Sequence, residues 1–318
     1  LLYELFSLRE HPVIAVVGSR KELQSAYIFQ CLKELGERPC LLETADFPEK
    51  VAASLEPGRA SYAEARLSSI RVAYLRSTFS SPEQLGQGIR KDMERNWYGT
   101  LMRLREKSNF LSSLLFWLRS KGVRLVNPLE SQYTMFKPFQ LERLKSAGIP
   151  LPRTLVTNDP GRVRAFARLC KRVIYKPVTG GAATRELLPS DLTSSRLELL
   201  KNAPVTFQEL VPGFNVRVYV VGPRVVSSSI IHTEKLDFRE GEGPVEPIRL
   251  PQEVRRLCLK AARACKLLFT GIDLKWDGKK RYTFLECNVS PMFCGYDRKA
   301  KAQVGPSLAR YLISLSRG

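Results

Sequence analysis

Residues 271–291, GIDLKWDGKKRYTFLECNVSP, constrain this chain more than any other stretch. Asp277-Gly278, followed by Lys279 and Lys280, is tight-turn chemistry between two apolar-alternating arms, so the stretch reads as a β-hairpin. Side chains alternate along a strand. Ile272, Leu274 and Trp276 therefore share one face, and Asp273 turns to the other. Glu286 and Asn288, two residues apart, share a face of the return arm. Antiparallel pairing then brings Asp273 near Glu286. Like charges repel across a strand pair, and a cation between them removes the conflict. Two carboxylates and an amide oxygen suit Mg²⁺, which keeps few protein ligands and takes the rest from water and phosphates. The competing reading is a solvated hairpin with ordinary surface acids.

The chain has 318 residues, 44% of them hydrophobic, enough to bury a sizeable core in two or three lobes. No apolar run is long enough to span a bilayer. Glu4, Arg9 and Glu10 interrupt any signal-peptide layout. The first residue is Leu1, not Met, which leaves an upstream start or another start codon open. The cysteines at 31, 40, 170, 258, 265, 287 and 294 form no C-x-x-C pair, so neither a zinc site nor a disulfide framework is expected, and a reducing cytoplasm is the simplest setting. With only His11 and His232, chemistry resting on several imidazoles is excluded. The net charge of +20 calls for an anionic partner: nucleic acid, a membrane surface, nucleotide phosphates or an acidic polypeptide. The basic residues are spread along the chain and no nucleic-acid-binding motif is present, which disfavours nucleic acid.

Taken in order, residues 12–18 read as a buried strand closing on Gly18-Ser19, residues 21–35 as a helix stopped by Gly36, and residues 39–43 as a second strand. This β-α-β opening predicts a parallel sheet. Gly18 belongs to no G-x-G-x-x-G, so a dinucleotide site is not favoured. A strand at 70–75, a long helical stretch at 83–120 broken at Gly86, Gly88 and Gly99, and a strand at 123–126 complete the first part. A helix is expected over 131–147, a strand at 153–156, and a helix at 160–170 capped by Asn158-Asp159. A strand at 172–175 runs into KPVTGGAAT, a small-residue loop able to cradle phosphate with Lys176 as a point charge. Strands at 205–210, 216–221 and 225–231, a helix at 251–268 and a last helix at 304–314 follow. Arg217 alternates with Val216 and Val218 and projects from one strand face.

The order of these parts resembles the ATP-grasp superfamily: Lys137, strand-Lys176-Pro-x-x-Gly-Gly, Gln208-Glu209-Leu210, Arg217, Asp237-Phe238-Arg239, Asp273 and Glu286-x-Asn288-x-Ser-Pro. The tail SPMFCGYDRKAKAQVGPSLARYL is similar to the RimK-like glutamate ligases, and GIPLPRTLVTNDP, ADFP and RVAYLRS are similar to the ligases that macrocyclise graspetide (microviridin-type) peptides. The resemblance implies an α/β chain with α+β lobes: an N-terminal parallel pre-ATP-grasp domain (1–127), a small lobe with a phosphate lid (128–205) and a large lobe with the Mg²⁺ site (206–318). It implies that Lys137, Lys176, Gly180 and Gly181 meet ATP phosphates, and that Gln208, Glu209 and Leu210 line the adenine at the hinge. Asn215 stands at the ribose-contact position, an amide where an acid is usual. Asp273, Glu286 and Asn288 would hold Mg²⁺, or Mn²⁺ in its place. Arg217 and Arg239, with Lys176, would face the γ-phosphate or the acceptor carboxylate.

That set of cations fits phosphoryl transfer, which needs charge neutralisation and alignment rather than a protein nucleophile. The implied activity is ATP-dependent activation of a peptide or protein carboxylate as an acyl phosphate, followed by amide or ester formation. The alternatives are addition of glutamate or another amino acid to a protein tail or small molecule, and a non-catalytic nucleotide or nucleic-acid binder. An acidic peptide is the expected partner, no membrane is, and a homo-oligomer stays open.

Overall fold

The computed structural model describes residues 14–76, 87–131, 136–179, 182–236 and 243–318. The chain forms two units. One gathers the N-terminal 129 residues, 292–294 and the last helix; the other holds 130–291 and 295–302.

The first unit begins with β1 (Ile14–Gly18), α1 (Leu23–Glu34) and β2 (Cys40–Glu43). All five residues of β1 are buried, as its unbroken apolar run requires of a central parallel strand. A short hairpin, β3 (Ala53–Glu56) and β4 (Arg59–Tyr62), was not foreseen, because its alternation is written in small and polar residues. β5 (Val72–Leu75) and β6 (Arg124–Val126) complete a parallel sheet of order β2-β1-β5-β6, as expected for this opening. The long helical stretch is two helices, α2 (Gln87–Arg95) and α3 (Trp97–Ser120). The expected glycine breaks are corrected: Gly88 and Gly99 lie inside these helices, and Gly86 lies outside the described residues. The break falls at Asn96, whose side chain accepts from the Gly99 N–H and caps α3. Leu111, Leu114, Leu115 and Leu118 of α3 pack on the sheet.

In the second unit, α4 (Lys137–Ser146) starts six residues later than the periodicity suggests, with Pro138 in its first turn. β7 (Thr154–Thr157) precedes α5 (Pro160–Leu169), which Asp159 caps by accepting from the Gly161 and Arg162 N–H groups. Then come β8 (Val173–Pro177), the short β9 (Arg185–Glu186), α6 (Ser194–Glu198) and β10 (Val205–Glu209). They form an antiparallel sheet of order β7-β10-β8-β9. Phe207, Leu155 and Tyr175 join one apolar cluster with Val163 and Leu197, so one face of this sheet is packed on its helices.

β11 (Phe214–Val221), β12 (Arg224–Ile231), β13 (Val245–Pro247), β14 (Phe269–Trp276) and β15 (Tyr282–Asn288) form a second antiparallel sheet, order β13-β12-β11-β14-β15. α7 (Gln252–Ala264) packs on it through Val254, Cys258, Ala261 and Ala262. α7 ends four residues before the expected position, because Lys266 turns left-handed (φ 54°) and β14 begins at Phe269. The β14–β15 turn is built as the sequence predicts. Asp277 accepts from the Lys279 and Arg281 N–H groups, and Gly278 takes φ 79°. Two further helices follow, α8 (Cys294–Ala300) and α9 (Val304–Arg317). α9 belongs to the first unit, and Arg124 Nη1 donates to the Leu315 carbonyl there.

Candidate active site

The hairpin register sets Asp273 opposite Glu286 on β15, and opposite Arg217 on β11. A bulge at Asp273/Leu274 skips Leu285, so the pairing resumes at Leu274 and Phe284. Asp273 is only 8% exposed and Arg217 7%. Such charges persist in a protein interior only when paired. Arg217 donates through Nε to Asp273 Oδ1 (2.6 Å) and through Nη2 to Oδ2 (3.2 Å), a bidentate fork. The Tyr219 and Tyr296 rings flank the guanidinium at 5.9 and 5.7 Å, a cation–π cradle. Asn288 Nδ2 donates to Asp273 Oδ2 (3.0 Å) and to the Gly271 carbonyl (3.1 Å).

Glu286 has its own cation. Lys137 Nζ lies 2.8 Å from Glu286 Oε2. A residue the sequence did not single out fastens the helix beside this contact. Gln140, 3% exposed, donates through Nε2 to the Cys287 carbonyl (2.7 Å) and accepts at Oε1 from the Cys287 N–H (2.9 Å). This clasp fastens α4 along the outer edge of β15, and Lys137, one turn earlier, arrives beside Glu286. The available signal was that Gln140 and Leu144 share the buried face of α4 at i, i+4 spacing.

Burial is the largest influence on Asp273 and pushes its carboxyl above the usual range. The Glu286 charge adds to that, and Arg217 and Asn288 oppose it. Burial also pushes Glu286 upward, but the Lys137 and Lys176 charges outweigh it and leave Glu286 below the usual range. The two facing carboxylates are thus held unequally.

A cleft in this unit is lined by Lys137 and Leu141 from α4, Val156, Lys176, Thr206 and Gln208 from the four-stranded sheet, and Leu285 and Glu286 from β15. Lys176 Nζ donates to Gln208 Oε1 (3.4 Å), and Gln208 Nε2 donates to Thr154 Oγ1 (2.9 Å). Of the expected hinge contacts, the Glu209 and Leu210 N–H groups already donate to the Arg153 and Arg172 carbonyls (2.9 and 3.0 Å). Asn215 sits in β11, paired with Ile231 and Lys275. Gly180, Gly181 and Arg239 lie outside the described residues.

The donor set fits a hard divalent cation in its carboxylates: two acids stand on facing registers, and Asp273 is raised chiefly by burial, with the Glu286 charge adding to it. Asn288, as it lies, presents its amide nitrogen to Asp273, and not the oxygen expected from the sequence. Among the described residues no three Asp, Glu, His or Cys side chains gather as a metal cluster, so a cation here would be held by few protein ligands.

Two antiparallel sheets in one unit, with a lysine-bearing cleft and a carboxylate pair on the last hairpin, define the ATP-grasp class of fold. The chain belongs to the RimK-like ATP-grasp domain family, which matches residues 136–312. It is similar over 96% of its length to 99% of the ATP-grasp ligase PsnB, solved with a phosphomimetic variant of its minimal precursor, Mg and ADP, at 37% identity and a TM-score of 0.89. The macrocyclase MdnC of Microcystis aeruginosa, bound to its precursor peptide, shares the fold at 19% identity and a TM-score of 0.73, covering 95% of this chain and 99% of that one. A probable alpha-L-glutamate ligase of Haemophilus influenzae is 29% identical over 164 residues, 48% of this chain and 53% of that protein. The chain thus spans about half the length of the curated relatives it matches. The likeness to RimK-like and graspetide ligases drawn from the motifs is borne out.

Proposed function

We propose that this protein is an ATP- and Mg²⁺-dependent ligase that activates a carboxylate of a peptide as an acyl phosphate and joins it to an amine or hydroxyl, releasing ADP. The observation that carries this reading is the pair of facing carboxylates, Asp273 and Glu286, each held by its own cation beside a lysine-lined cleft. The likeness to PsnB, which has been solved with its precursor, Mg and ADP, supports it.

Lys137 and Lys176, with Gly180 and Gly181, would bind the phosphates, and Gln208, Glu209, Leu210 and Asn215 the nucleoside. Asp273 and Glu286, with Asn288 once its amide turns its oxygen to the site, would hold Mg²⁺, which when bound supplies charge neutralisation and alignment for phosphoryl transfer. Arg217 would meet the transferred phosphoryl group or the acceptor carboxylate, with Arg239 as its partner. Its two tyrosines and Asp273 restrict the guanidinium to one orientation, as a preorganised electrostatic site requires. Lys137 can leave Glu286 for an incoming phosphate while Lys176 continues to offset the carboxylate charge.

An acidic peptide is the partner that best matches the net charge of +20. The seven free cysteines, six of them buried, suit a reducing compartment such as the cytoplasm. No helix among the described residues is long and apolar enough to cross a membrane. A second reading, addition of glutamate to a protein tail or small molecule, is favoured by the glutamate ligases among the relatives. Intact-mass analysis after incubation with ATP, Mg²⁺ and a candidate peptide separates them. Loss of water marks an internal ester or amide, a gain of one residue mass marks amino-acid addition, and neither change with any acidic peptide tried, with or without free glutamate, counts against both.

A further inference from the structure

In β10 the residues alternate between two environments. Phe207 enters the apolar cluster under the sheet, and Thr206 and Gln208 face the cleft. Thr206 stands in register between Val156 on β7 and Lys176 on β8. It is 3% exposed, and its hydroxyl has no hydrogen-bond partner among the described residues. A buried hydroxyl without a partner destabilises the fold, and valine would fill the same volume in the same β-branched shape without that cost. The side chain is therefore unexplained by packing alone.

Its neighbours suggest what the hydroxyl is for. Gln208 cannot turn freely, because Nε2 is committed to Thr154 Oγ1, and this aims Oε1 at the Lys176 ammonium. The floor of the cleft thus carries, side by side, an ammonium donor, a hydroxyl and a fixed carbonyl acceptor. Val156, next to Thr206 in the sheet, and Leu141 and Leu285 add apolar lining, and the Lys137–Glu286 pair lies on the same cleft. A flat aromatic ring with an acceptor next to a donor on one edge suits the Thr206 hydroxyl as donor and the Gln208 carbonyl as acceptor, while Lys176 stays with the phosphates. Adenine presents N7 and the N6 amine in that arrangement.

We propose that Thr206 is a ligand-binding residue whose hydroxyl hydrogen-bonds the base edge of the bound adenine nucleotide. This inference rests on the nucleotide reading of the cleft. It assigns Thr206 a role in specificity that its position in a plain β-strand does not reveal.

The test uses the full chain with Thr206→Val and Thr206→Ser. Melting is measured without nucleotide, and ADP binding by calorimetry with Mg²⁺. Thr206→Val is expected to melt at the same temperature as the parent or higher, and to bind ADP about three- to tenfold more weakly, the range of one neutral hydrogen bond. Thr206→Ser, which keeps the hydroxyl, is expected to bind ADP within about twofold of the parent. Parental ADP affinity in Thr206→Val overturns the proposal. So does a lower nucleotide-free melting temperature in that variant, which would show that the hydroxyl has a structural partner. If the parent protein itself binds neither ADP nor ATP, the nucleotide reading of the cleft fails first and this inference falls with it.

Discussion

Replacing Gln140 by leucine tests how the site is assembled. The side chains are close in size, so the packing of α4 changes little. What is lost is the two-bond clasp on Cys287, 2.7 and 2.9 Å. β15 is the edge of its sheet, and the Cys287 N–H and C=O meet Gln140 there. With leucine in place, both peptide groups stay buried against α4 without a partner. An unpaired buried group costs about 1–3 kcal/mol and two are left, so a destabilisation of about 2–6 kcal/mol is expected. The change is local, which makes amide hydrogen exchange the suitable assay. The Cys287 amide should be protected in the parent and exchange fast in Gln140→Leu, with the Ile272 and Leu274 amides of β14 less affected. ADP binding should weaken as well, because Lys137 is no longer set beside Glu286. Unchanged Cys287 protection together with a stability loss below about 0.5 kcal/mol would refute the clasp.

Asp273→Asn and Glu286→Gln should each abolish ATP turnover, the first also lowering the melting temperature because Arg217 loses its buried counter-ion, and Glu286→Gln with ellipticity near parental; turnover near parental in both removes the metal assignment. Lys176→Ala should weaken ADP binding by about 1.5–3 kcal/mol in calorimetry, the range of a charge-assisted hydrogen bond. In Gly271→Ala the new Cβ would lie 2.8 Å from Pro291 Cβ and 3.2 Å from Arg217 Nη1, so a loss of about 1–3 kcal/mol and reduced turnover are expected, and a neutral result would mean that the cradle yields easily. Glu22 is pushed up by burial, but the Arg76 charge and hydrogen bond and the Ser25 hydrogen bonds leave its carboxyl below the usual range. Its stabilisation is therefore complete above the ordinary carboxylate pKa and is lost as pH falls through the depressed value. In Arg76→Met, burial is less opposed and the acid limb of melting should move to higher pH; superimposable melting curves between about pH 3 and 6 would exclude the linkage.

How much of this was legible beforehand varies by residue, for physical reasons. A strand alternates with period two, and Asp-Gly forces a turn. Asp273 opposite Glu286, and the turn between their strands, therefore followed from the sequence alone. Arg217 could be placed on a strand face in the same way, but its partner could not. That Asp273 is the counter-ion depends on β11 and β14 being neighbours with a register that matches 217 to 273, and pairing between segments 56 residues apart is set by the assembled sheet. Gln140 and Thr206 lay further out of reach. Each is a polar residue in an otherwise ordinary pattern, and its meaning comes from what the fold places beside it, an edge strand for one and a cleft for the other.

By itself the sequence determined the local elements and the chemistry they carry: the parallel opening, the Asp159 cap, the hairpin acids and the abundance of cations. The tertiary structure decided the long-range choices. Gln24, buried in α1, accepts from the Phe293 and Cys294 N–H groups, and α9 belongs with the first unit and not with the hairpin that precedes it. Lys137 meets Glu286 where Gln140 grips a strand edge far along the chain, with Leu144 packed in the core behind it. Such pairings carry no periodicity. They are fixed when separate apolar faces are buried together and the remaining polar groups must find partners inside.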